Sequence, residues 1–336
     1  MQYMKLLITG GCGFMGSNAI RYFLKNYPDY SIVNLDKLTY SGNPQNLRDI
    51  EDDLRYRFVQ GDIADEKVID DILLDGVDVI LNYAAETHVD RSIHDPKAFV
   101  VTDVIGTYTL LEAARKHAVK RFIQISTDEV FGSIQEGTFT ENHPFEPNSP
   151  YAASKAGADL LCRSYVKTYG LPVIVTHSCN FYGPYQYPEK VIPLFITNLI
   201  EGKKVPLYGD GKNVREWIFT QDHCCAIDTI LQKGIDGEVY NIGTGDEIAN
   251  IDLTQKILSL VGVSDDMIEP VADRLGHDRR YAVDSSKLRA LGWQPQQSFD
   301  EGLAQTVQWY KDNELWWRPL KSGEKYKEYY QKQYSK

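Results

Sequence analysis

The chain has 336 residues, and a hydrophobic content of 43% with 25% charged residues is ordinary for a folded globular protein. Its length favours two parts, or one domain with a sizeable insertion. The net charge of -11, from 36 Lys and Arg against 47 Asp and Glu, argues against a protein that binds nucleic acid or an anionic membrane surface.

The five cysteines fit neither a C-x-x-C motif nor the spacing of a zinc site. The sequence starts without a signal-like leader, and no apolar run reaches the length of a membrane span. We therefore expect a cytoplasmic protein with reduced cysteines, no metal and no membrane partner.

A glycine-rich turn follows the first predicted strand, which covers residues 5–10. Gly10, Gly13 and Gly16 allow a tight turn, a close approach of the backbone to a pyrophosphate, and packing of the next helix on the strand. The next strand ends at Asp36, at the spacing of a carboxylate that binds an adenosine ribose. This pattern predicts an NAD site, with a glycine turn that binds no nucleotide as the alternative. Lys37 would soften the preference of Asp36 for NAD over NADP.

Further strands and helices alternate along the chain, with strands over 57–61 and 77–82 and helices over 65–74 and 96–117. Such alternation predicts an α/β fold with a Rossmann-type, doubly wound parallel sheet. Residues 62–63 would meet an adenine edge, and the small residues 84–85 would let a cofactor approach. The predicted cofactor-binding residues are Gly10, Gly13, Phe14, Met15, Gly16, Asp36, Lys37, Thr39, Asp62, Ile63, Ala84, Ala85, Tyr151 and Lys155.

The second half of the chain changes character, which predicts a smaller, mixed α/β C-terminal substrate-binding domain. We expect residues 1–177 to form the NAD-binding domain and residues 178–336 to form mainly the second domain, with about 212–245 returning to the first. The Lys-, Glu- and Tyr-rich end, residues 321–336, is predicted as a peripheral helix or a loose tail.

Two adjacent carboxylates, Asp128 and Glu129, follow the apolar run 121–125, where a parallel strand should end. Burying charge without partners is costly, so a catalytic acid and base would explain the pair. A turn capped by Asp128 with a solvated Glu129 would explain it as well. These residues alone leave both interpretations open.

Tyr151 and Lys155 lie four residues apart in a helical pattern that runs to Tyr169, so they share a face. A lysine ammonium beside a phenol favours the phenolate, which would make Tyr151 a base near neutral pH. Together with the glycine turn and Ser126-Thr127, the pair is typical of a short-chain dehydrogenase/reductase site.

Several basic and aromatic side chains, most of them in the second half of the chain, each allow two interpretations. The four arginines at 215, 274, 279 and 280 indicate either an anion site or solvated surface side chains. Tyr208 would stack on a base or belong to the core, and His88 would be a ligand or a structural histidine.

Six parts of the chain match one known family. They are Leu35–Tyr40 with Gly42-Asn43, Ala84–Ser92, Ser126–Val130, Ser149–Tyr151 with Ser154-Lys155, Tyr182–Tyr185 with Pro188–Lys190, and Gly276–Arg280. On these residues the chain resembles the dTDP-glucose 4,6-dehydratases, extended short-chain dehydrogenase/reductases of nucleotide-sugar metabolism.

The resemblance implies that a nucleoside-diphosphate glucose is dehydrated by an internal redox reaction with tightly bound NAD. Tyr151 would take the C4 hydroxyl proton as hydride leaves for NAD, with Lys155 beside it and Thr127 hydrogen-bonded near the C4 oxygen. Glu129 would then remove the C5 proton, and Asp128 would protonate the departing C6 hydroxyl before hydride returns to C6. These five residues are the implied catalytic set.

The resemblance also implies that the second domain binds the nucleotide sugar and that the chain forms a homodimer through helices around 107–117 and 154–169. The chain departs from the family's usual residues at Asp103, Phe131, Cys179 and Phe181. The implied substrate-binding residues are Glu86, His88, Arg91, Thr127, Asn180, Glu189, Lys190, Pro206, Tyr208, Arg215, Asn250, Arg274 and His277.

Three alternatives share parts of this pattern. A UDP-glucose 4,6-dehydratase would use the same catalytic residues on another nucleotide. A UDP-sugar 4-epimerase or decarboxylase on the same scaffold would need no Asp128–Glu129 pair. A nucleotide-sensing binding protein would have no use for all five catalytic residues.

Overall fold

The central sheet is built from apolar runs whose side chains alternate between two covered faces. The computed structural model describes residues 3–273 and 276–334. In the first strand, Leu6 and Ile8 pack into the core on one side of the sheet, and Leu7 packs into the core on the other. All three side chains are fully buried, which is why the strand reads as a continuous apolar run.

Seven parallel strands form this sheet: β1 (Met4–Thr9), β2 (Tyr30–Asp36), β3 (Tyr56–Gln60), β4 (Val79–Asn82), β5 (Arg121–Thr127), β6 (Val173–Ser178) and β10 (Val239–Ile242). Their spatial order is β10-β6-β5-β4-β1-β2-β3. The predicted Rossmann-type, doubly wound sheet is confirmed. Its strand order reverses between β1 and β4, and the carboxyl edge at such a reversal is where ligands bind.

Helices cover both faces of the sheet, and one of them is interrupted. The predicted helix over 96–117 is present, but a π-helical segment, Val100–Gly106, divides it in two. Such segments are frequent at functional sites because they re-aim side chains. The helices of this first half are α1 (Phe14–Asn26), α2 (Glu66–Leu74), α3 (Val89–His94), α4 (Pro96–Phe99), α5 (Thr107–Lys116) and α6 (Pro150–Tyr169).

The second half of the chain builds a separate core around large aromatic side chains, including Trp217, Tyr310 and Trp317. Its strands form a three-stranded sheet, order β11-β9-β7, and a two-stranded pair, β12 with β8. Apart from β10, the strands and helices between residues 180 and 312 are β7 (Asn180–Tyr182), α7 (Val191–Ile200), β8 (Val205–Tyr208), β9 (Val214–Phe219), α8 (Thr220–Lys233), β11 (Glu247–Ala249), α9 (Asn250–Val261), β12 (Ile268–Val271), α10 (Ser286–Ala290) and α11 (Phe299–Asp312).

Residues 212–245 divide between the two halves. β9 belongs to the three-stranded sheet, whereas α8 packs on α1 and β10 pairs with β6 of the central sheet. The domain boundary near residue 177 stays a prediction.

The C-terminal residues form two docked helices, α12 (Glu314–Ser322) and α13 (Glu324–Tyr334). Lys321 at the end of α12 is 7% exposed, and its ammonium donates to Asn198 Oδ1 at 2.7 Å and pairs with Glu201 at 3.0 Å. Tyr326 and Tyr329 of α13 are buried. The alternative of a loose tail is therefore wrong for the described part of this segment, which ends at residue 334.

Candidate active site

A cleft runs along the carboxyl edge of the central sheet, and it brings together all the residues predicted to bind the cofactor. They line one cavity with the five residues predicted to be catalytic, although they come from the ends of several strands and the starts of two helices. Residues that the sequence did not single out also line it: Leu35, Ser41, Gly42, Thr102, Gln186, Tyr187 and Trp217. Of these residues, only Leu35 and Gly42 lie within the stretches that match the family. No sequence pattern marked the other five as cavity residues.

The backbone of the glycine turn lies too close to neighbouring atoms for its residues to carry side chains. Gly10 has φ +66°, and a Cβ on it would lie 2.8 Å from the Ala84 Cα atom. A Cβ on Gly16 would collide with the Gly10 carbonyl oxygen. Gly13 N donates to that carbonyl at 3.0 Å, and α1 begins at the next residue. This bare backbone at a helix N-terminus fits a pyrophosphate.

Asp36 ends β2 in the position expected of a ribose ligand. Its carboxylate accepts hydrogen bonds from Cys12 N at 2.9 Å and Leu38 N at 2.8 Å. Burial raises the pKa of Asp36, while these N–H donors lower it. Lys37 pairs with Asp62 at 2.6 Å. This ion pair engages the lysine charge that would otherwise favour a 2′-phosphate, so the site fits NAD.

The two adjacent carboxylates have different surroundings. A 3₁₀ turn, Asp128–Phe131, begins after β5, and Thr127 caps it by accepting a hydrogen bond from Glu129 N at 3.3 Å. The same hydroxyl donates to Asp128 Oδ1 at 3.3 Å. Asp128 is 1% exposed, and within residues 3–273 and 276–334 its Oδ2 has no hydrogen-bond partner. Thr127, not Asp128, therefore caps the turn, which removes the main support for a capping role of Asp128.

Burial raises the pKa of Asp128 well above its usual value, and the negative charges of Glu129 and Glu216 raise it further. This shift favours the protonated form of Asp128, which is the form that can donate a proton. Glu129 is half-buried and lines the cleft. The pair presents a buried carboxyl group with a raised pKa beside a more accessible one, which is an arrangement that acid–base elimination can use.

Tyr151 and Lys155 lie on the first turns of α6, where Ser149 caps the helix and Pro150 occupies its first position. Lys155 is 3% exposed, and its ammonium donates to the Ile125 carbonyl at 2.7 Å. The prediction that Lys155 lowers the pKa of Tyr151 stays a prediction. Burial raises that pKa well above its usual value and Glu129 raises it further, while a hydrogen bond with Thr127 opposes the rise.

A second pair of carboxyl groups lies behind the site. Asp103, on the π-helical segment, accepts hydrogen bonds from Glu86 N at 3.1 Å and from the Ser154 hydroxyl at 2.6 Å. Burial raises the pKa of Asp103 to about 6, although the Lys155 charge opposes this. Burial and then the Asp103 charge raise the pKa of Glu86 to about 7. In the sequence, Asp103 appeared only as a departure from the family's usual residue. The hydrogen bonds by which Asp103 joins the Glu86 backbone to the Ser154 side chain could not be predicted from it.

Of the other departures, Phe131 is accommodated by packing, whereas Cys179 and Phe181 lie at the cavity. Phe131 is 2% exposed and contacts Phe139, with ring centroids 5.1 Å apart, and His177, at 4.8 Å. This apolar surrounding suits a phenyl ring. Cys179 and Phe181 line the first cavity.

A second cavity adjoins the first and holds most residues predicted to bind substrate. Glu129, Asn180, Glu189 and Lys190 line both cavities, whereas Glu86 and Thr127 line only the first. Those that line only the second cavity are His88, Pro206, Tyr208, Arg215, Asn250 and His277. Arg274 lies outside the described residues.

Arg91 lines neither cavity. Its guanidinium donates twice to Glu189 Oε2, at 3.0 Å and 2.8 Å. The same group lies over the rings of Tyr40, 3.7 Å from the centroid, and Tyr329, 4.6 Å from the centroid. We therefore interpret Arg91 as a residue that positions Glu189, which lines both cavities, and the predicted direct contact of Arg91 with substrate stays a prediction.

The arginines of the second half divide in a similar way. Arg279 pairs with Asp210 at 2.9 Å and Arg280 with Glu247 at 2.5 Å, so both are engaged by surface carboxylates. Arg215 is 6% exposed and its guanidinium lies 4.2 Å from the centroid of the Tyr281 ring. Arg215 and Lys190 are thus the cations that the structure brings to the second cavity among the described lining residues.

The described part of the chain contains neither a cluster of metal-ligating side chains nor a membrane-spanning helix. Residues 3–273 and 276–334 contain no group of three or more His, Cys, Asp or Glu side chains placed to hold a metal ion. No helix in those ranges is long and apolar enough to cross a membrane.

The parallel sheet, the glycine turn and the Tyr151–Lys155 pair together define a short-chain dehydrogenase/reductase with a dinucleotide site. The model of the family described as GDP-mannose 4,6 dehydratase matches residues 7–306. The chain belongs to this family.

Three individual proteins that are similar to this chain have more specific names than the family. The chain is 54% identical to the low-salt glycan biosynthesis protein Agl12 of Haloferax volcanii, over 91% of this chain and 98% of that protein. It is 52% identical to a dTDP-glucose 4,6-dehydratase of Streptomyces niveus, over 95% and 96%. It also matches the crystal structure of DesIV, a dTDP-glucose 4,6-dehydratase from Streptomyces venezuelae with NAD and dTDP bound, at a TM-score of 0.92 and 53% identity, over 94% of this chain and 100% of that one. The resemblance found in the sequence is confirmed.

Proposed function

We propose that this protein dehydrates dTDP-glucose to the 4-keto-6-deoxy sugar, using NAD that is regenerated in each turnover. The observation that carries the proposal is the unequal carboxyl pair, a buried Asp128 with a raised pKa next to a more accessible Glu129, in the cavity that also holds the glycine turn and Tyr151. Relatives at 52% and 53% identity carry the same activity in their names.

The residues that would hold NAD are the glycine turn, for the pyrophosphate, and Asp36, for the adenosine ribose. When bound, the cofactor supplies a hydride acceptor at C4 of the sugar and a hydride donor at C6. Ala84 and Ala85 line the cavity with short side chains, which leaves room for the nicotinamide beside Tyr151.

The side chains of this chain move the protons. Tyr151 would accept the C4 hydroxyl proton, and the positive charges of Lys155 and of bound oxidised NAD would favour its ionisation. Glu129 removes the C5 proton, which the new C4 ketone acidifies, and Asp128 gives its proton to the C6 hydroxyl that leaves as water. As hydride reaches C6, the protonated Glu129 returns a proton to C5.

The alternatives lack this support. An epimerase or decarboxylase has no step for the proton that Asp128 holds, and a sensor would not need five catalytic side chains around one cavity. A UDP-glucose dehydratase would use the same chemistry, and the names of the relatives favour dTDP-glucose over it.

The test is to incubate the purified protein with dTDP-glucose, or with UDP-glucose, without added NAD and to follow the sugar nucleotide by mass spectrometry. We expect loss of one water from dTDP-glucose. The matched control is Asp128→Asn, which should bind the same nucleotide and lose water far more slowly. Bound NAD without any loss of water from either substrate would overturn the proposal.

We propose further that the protein is a cytoplasmic homodimer whose interface is formed by α5, α6 and the π-helical segment. Apolar side chains on these elements are exposed in the single chain: Ile105 is 47% exposed, Tyr108 41% and Leu160 56%. Such a patch is costly to leave in water and matches a second copy of itself across a twofold axis. The five unpaired cysteines support a reducing compartment.

A further inference from the structure

The proposed dehydration leaves a proton on a different side chain from the one that supplied it. The C4 hydroxyl gives a proton to Tyr151, and Asp128 gives a proton to the C6 hydroxyl that leaves as water. The hydride lost from C4 is gained by C6, and the proton that Glu129 takes from C5 goes back to C5. After one turnover Tyr151 therefore has one proton more than before and Asp128 has one fewer. This difference has to be reversed before the next turnover.

Asp128, the residue that has to regain a proton, has little access to water. Its side chain is 1% exposed in the single chain, and bound NAD and sugar would cover the cleft further. Asp128 Oδ1 accepts a hydrogen bond from the Thr127 hydroxyl at 3.3 Å. Within residues 3–273 and 276–334 the other carboxyl oxygen, Oδ2, has no hydrogen-bond partner. The Thr127 hydroxyl is therefore a proton donor that the fold places directly against Asp128.

The same hydroxyl also interacts with Tyr151. Thr127 is the last residue of β5 and is 7% exposed, and its Oγ1 is fixed by a hydrogen bond that it accepts from Glu129 N at 3.3 Å. It lies close enough to the Tyr151 phenol to oppose the rise in the pKa of that phenol. A hydroxyl has one proton and two lone pairs, so it can accept a proton from one neighbour while it gives its own to another. Hydrogen bonds between catalytic groups are often long before substrate binds and shorten in its presence.

We propose that the Thr127 hydroxyl relays a proton from Tyr151 to Asp128 in each turnover, so that the proton taken from the C4 hydroxyl replaces the one given to the C6 hydroxyl. The O–H bond of the Tyr151 phenol breaks as Thr127 Oγ1 takes that proton, and the original Thr127 O–H bond breaks as Asp128 takes the other. Thr127 ends as a neutral hydroxyl, Tyr151 as a phenolate and Asp128 as a carboxylic acid. This inference rests on the proposed function and adds a second role for Thr127 to its hydrogen bond near the C4 oxygen.

The test compares the first turnover with later turnovers in Thr127→Val, which keeps the shape of the side chain and removes the hydroxyl. The protein with bound NAD is mixed with excess dTDP-glucose, and the quenched product is counted per active site. Loss of one hydrogen bond should slow the first turnover by roughly tenfold at most, because Asp128 starts with its proton. Later turnovers should be about 10²–10⁴-fold slower than in the wild type, because Asp128 then has to take a proton from water. The variant should thus form a burst of one product per site, with the NAD content of the wild type.

Two further variants separate the relay from the shape of the turn. Thr127→Ser keeps the hydroxyl, so its first and later turnovers should have the same rate. Ser126→Ala removes the neighbouring hydroxyl, which donates to Asp159 at 2.6 Å, and should also show no burst. In Thr127→Val, added imidazole at constant pH should speed the later turnovers, because the imidazolium ion can supply the missing proton.

First and later turnovers of equal rate in Thr127→Val, at any speed, would overturn the relay, because the hydroxyl would then act in the oxidation or in the turn alone. A burst that imidazole does not change would also overturn it, because slow release of product would then explain the burst. Either result leaves the proposed function standing. A wild type with bound NAD that removes no water from dTDP-glucose would overturn the proposed function, and the relay with it.

Discussion

Asp128 and Glu129 are neighbours in the sequence, yet the fold separates their chemistry. Asp128 is enclosed at the end of β5 with Glu216 close enough to raise its pKa, whereas Glu129 lies on the first residues of the turn and faces the cleft. Burial therefore favours the protonated form of Asp128, whereas Glu129 is the more accessible of the two carboxyl groups. The two carboxyl groups were visible in the sequence. The proximity of Glu216 was not, because Glu216 lies 87 positions beyond Glu129 and no sequence pattern links it to the pair.

Replacing the proposed base tests this division of roles. Glu129→Gln should still oxidise C4, so reduced nicotinamide and a 4-keto-glucose nucleotide accumulate, but elimination should stop. Loss of a general base lowers turnover by about 10²–10⁴-fold. The measurements are the ultraviolet absorbance of the reduced cofactor and the mass of the trapped nucleotide. Glu136→Gln, at an exposed residue, is the control, and wild-type turnover in Glu129→Gln would refute the assignment.

Asp103 should make stability depend on pH. Burial raises its pKa from 3.8 to about 6 in the folded protein, so folding favours the protonated form. This contribution to stability is complete below about pH 4 and is lost as pH rises through 6. The free energy of unfolding of the wild type should thus fall by roughly 3 kcal/mol, relative to Asp103→Asn, between pH 4 and 7.

Urea unfolding at several pH values measures this difference. The charged groups around Asp103 are Glu86, Lys155 and Asp159, and all three are present in both proteins. Asp71→Asn, at an exposed carboxylate, serves as the control and should follow the wild type at every pH. A constant difference between the wild type and Asp103→Asn across this range would contradict the prediction.

The glycine turn and the π-helical segment differ in how far the local sequence predicts them. The turn needs three residues without side chains at fixed spacing, so its position and function were predictable from residues 10–16. The π-helical segment has no comparable signature, because residues 100–106 read as part of one amphipathic helix. Its contacts with α6, including the Asp103–Ser154 hydrogen bond, appear only when the two helices pack.

Gly16→Ala tests the turn as a unit. A methyl group at this position would overlap the Gly10 carbonyl oxygen and approach the Gly11 Cα atom at 2.7 Å, so the turn would have to open. We expect loss of bound NAD and a decrease of about 1–3 kcal/mol in the free energy of unfolding. NAD released on denaturation and urea unfolding measure the two effects.

The control for this substitution is Gly323→Ala. An added Cβ there would meet its nearest atom at 3.4 Å, an ordinary contact, and the backbone φ of -63° suits alanine. This variant should keep its NAD and its stability. Retention of NAD by Gly16→Ala would show that the turn does not cradle the pyrophosphate.

At the scale of the whole molecule, the exposed apolar face of α6 predicts assembly. Leu160→Glu places a charge in the proposed interface, and we expect it to convert a dimer into single chains. Sedimentation equilibrium measures the mass. Leu315→Glu, at a residue that is 93% exposed on α12, should leave the dimer intact. A wild type with the mass of one chain would exclude the interface.

The sequence by itself determined the class of fold and the cofactor turn, because these depend on short-range periodicity and spacing, whereas the acid and base roles of Asp128 and Glu129 were implied only by the resemblance to the family. Only the tertiary structure decided that Asp128 is the buried member of the carboxyl pair, that Arg91 binds Glu189 and that the C-terminal helix reaches the second cavity. Burial and charge pairing join residues far apart in the chain, and no local pattern records which side chains a folded core will bring together.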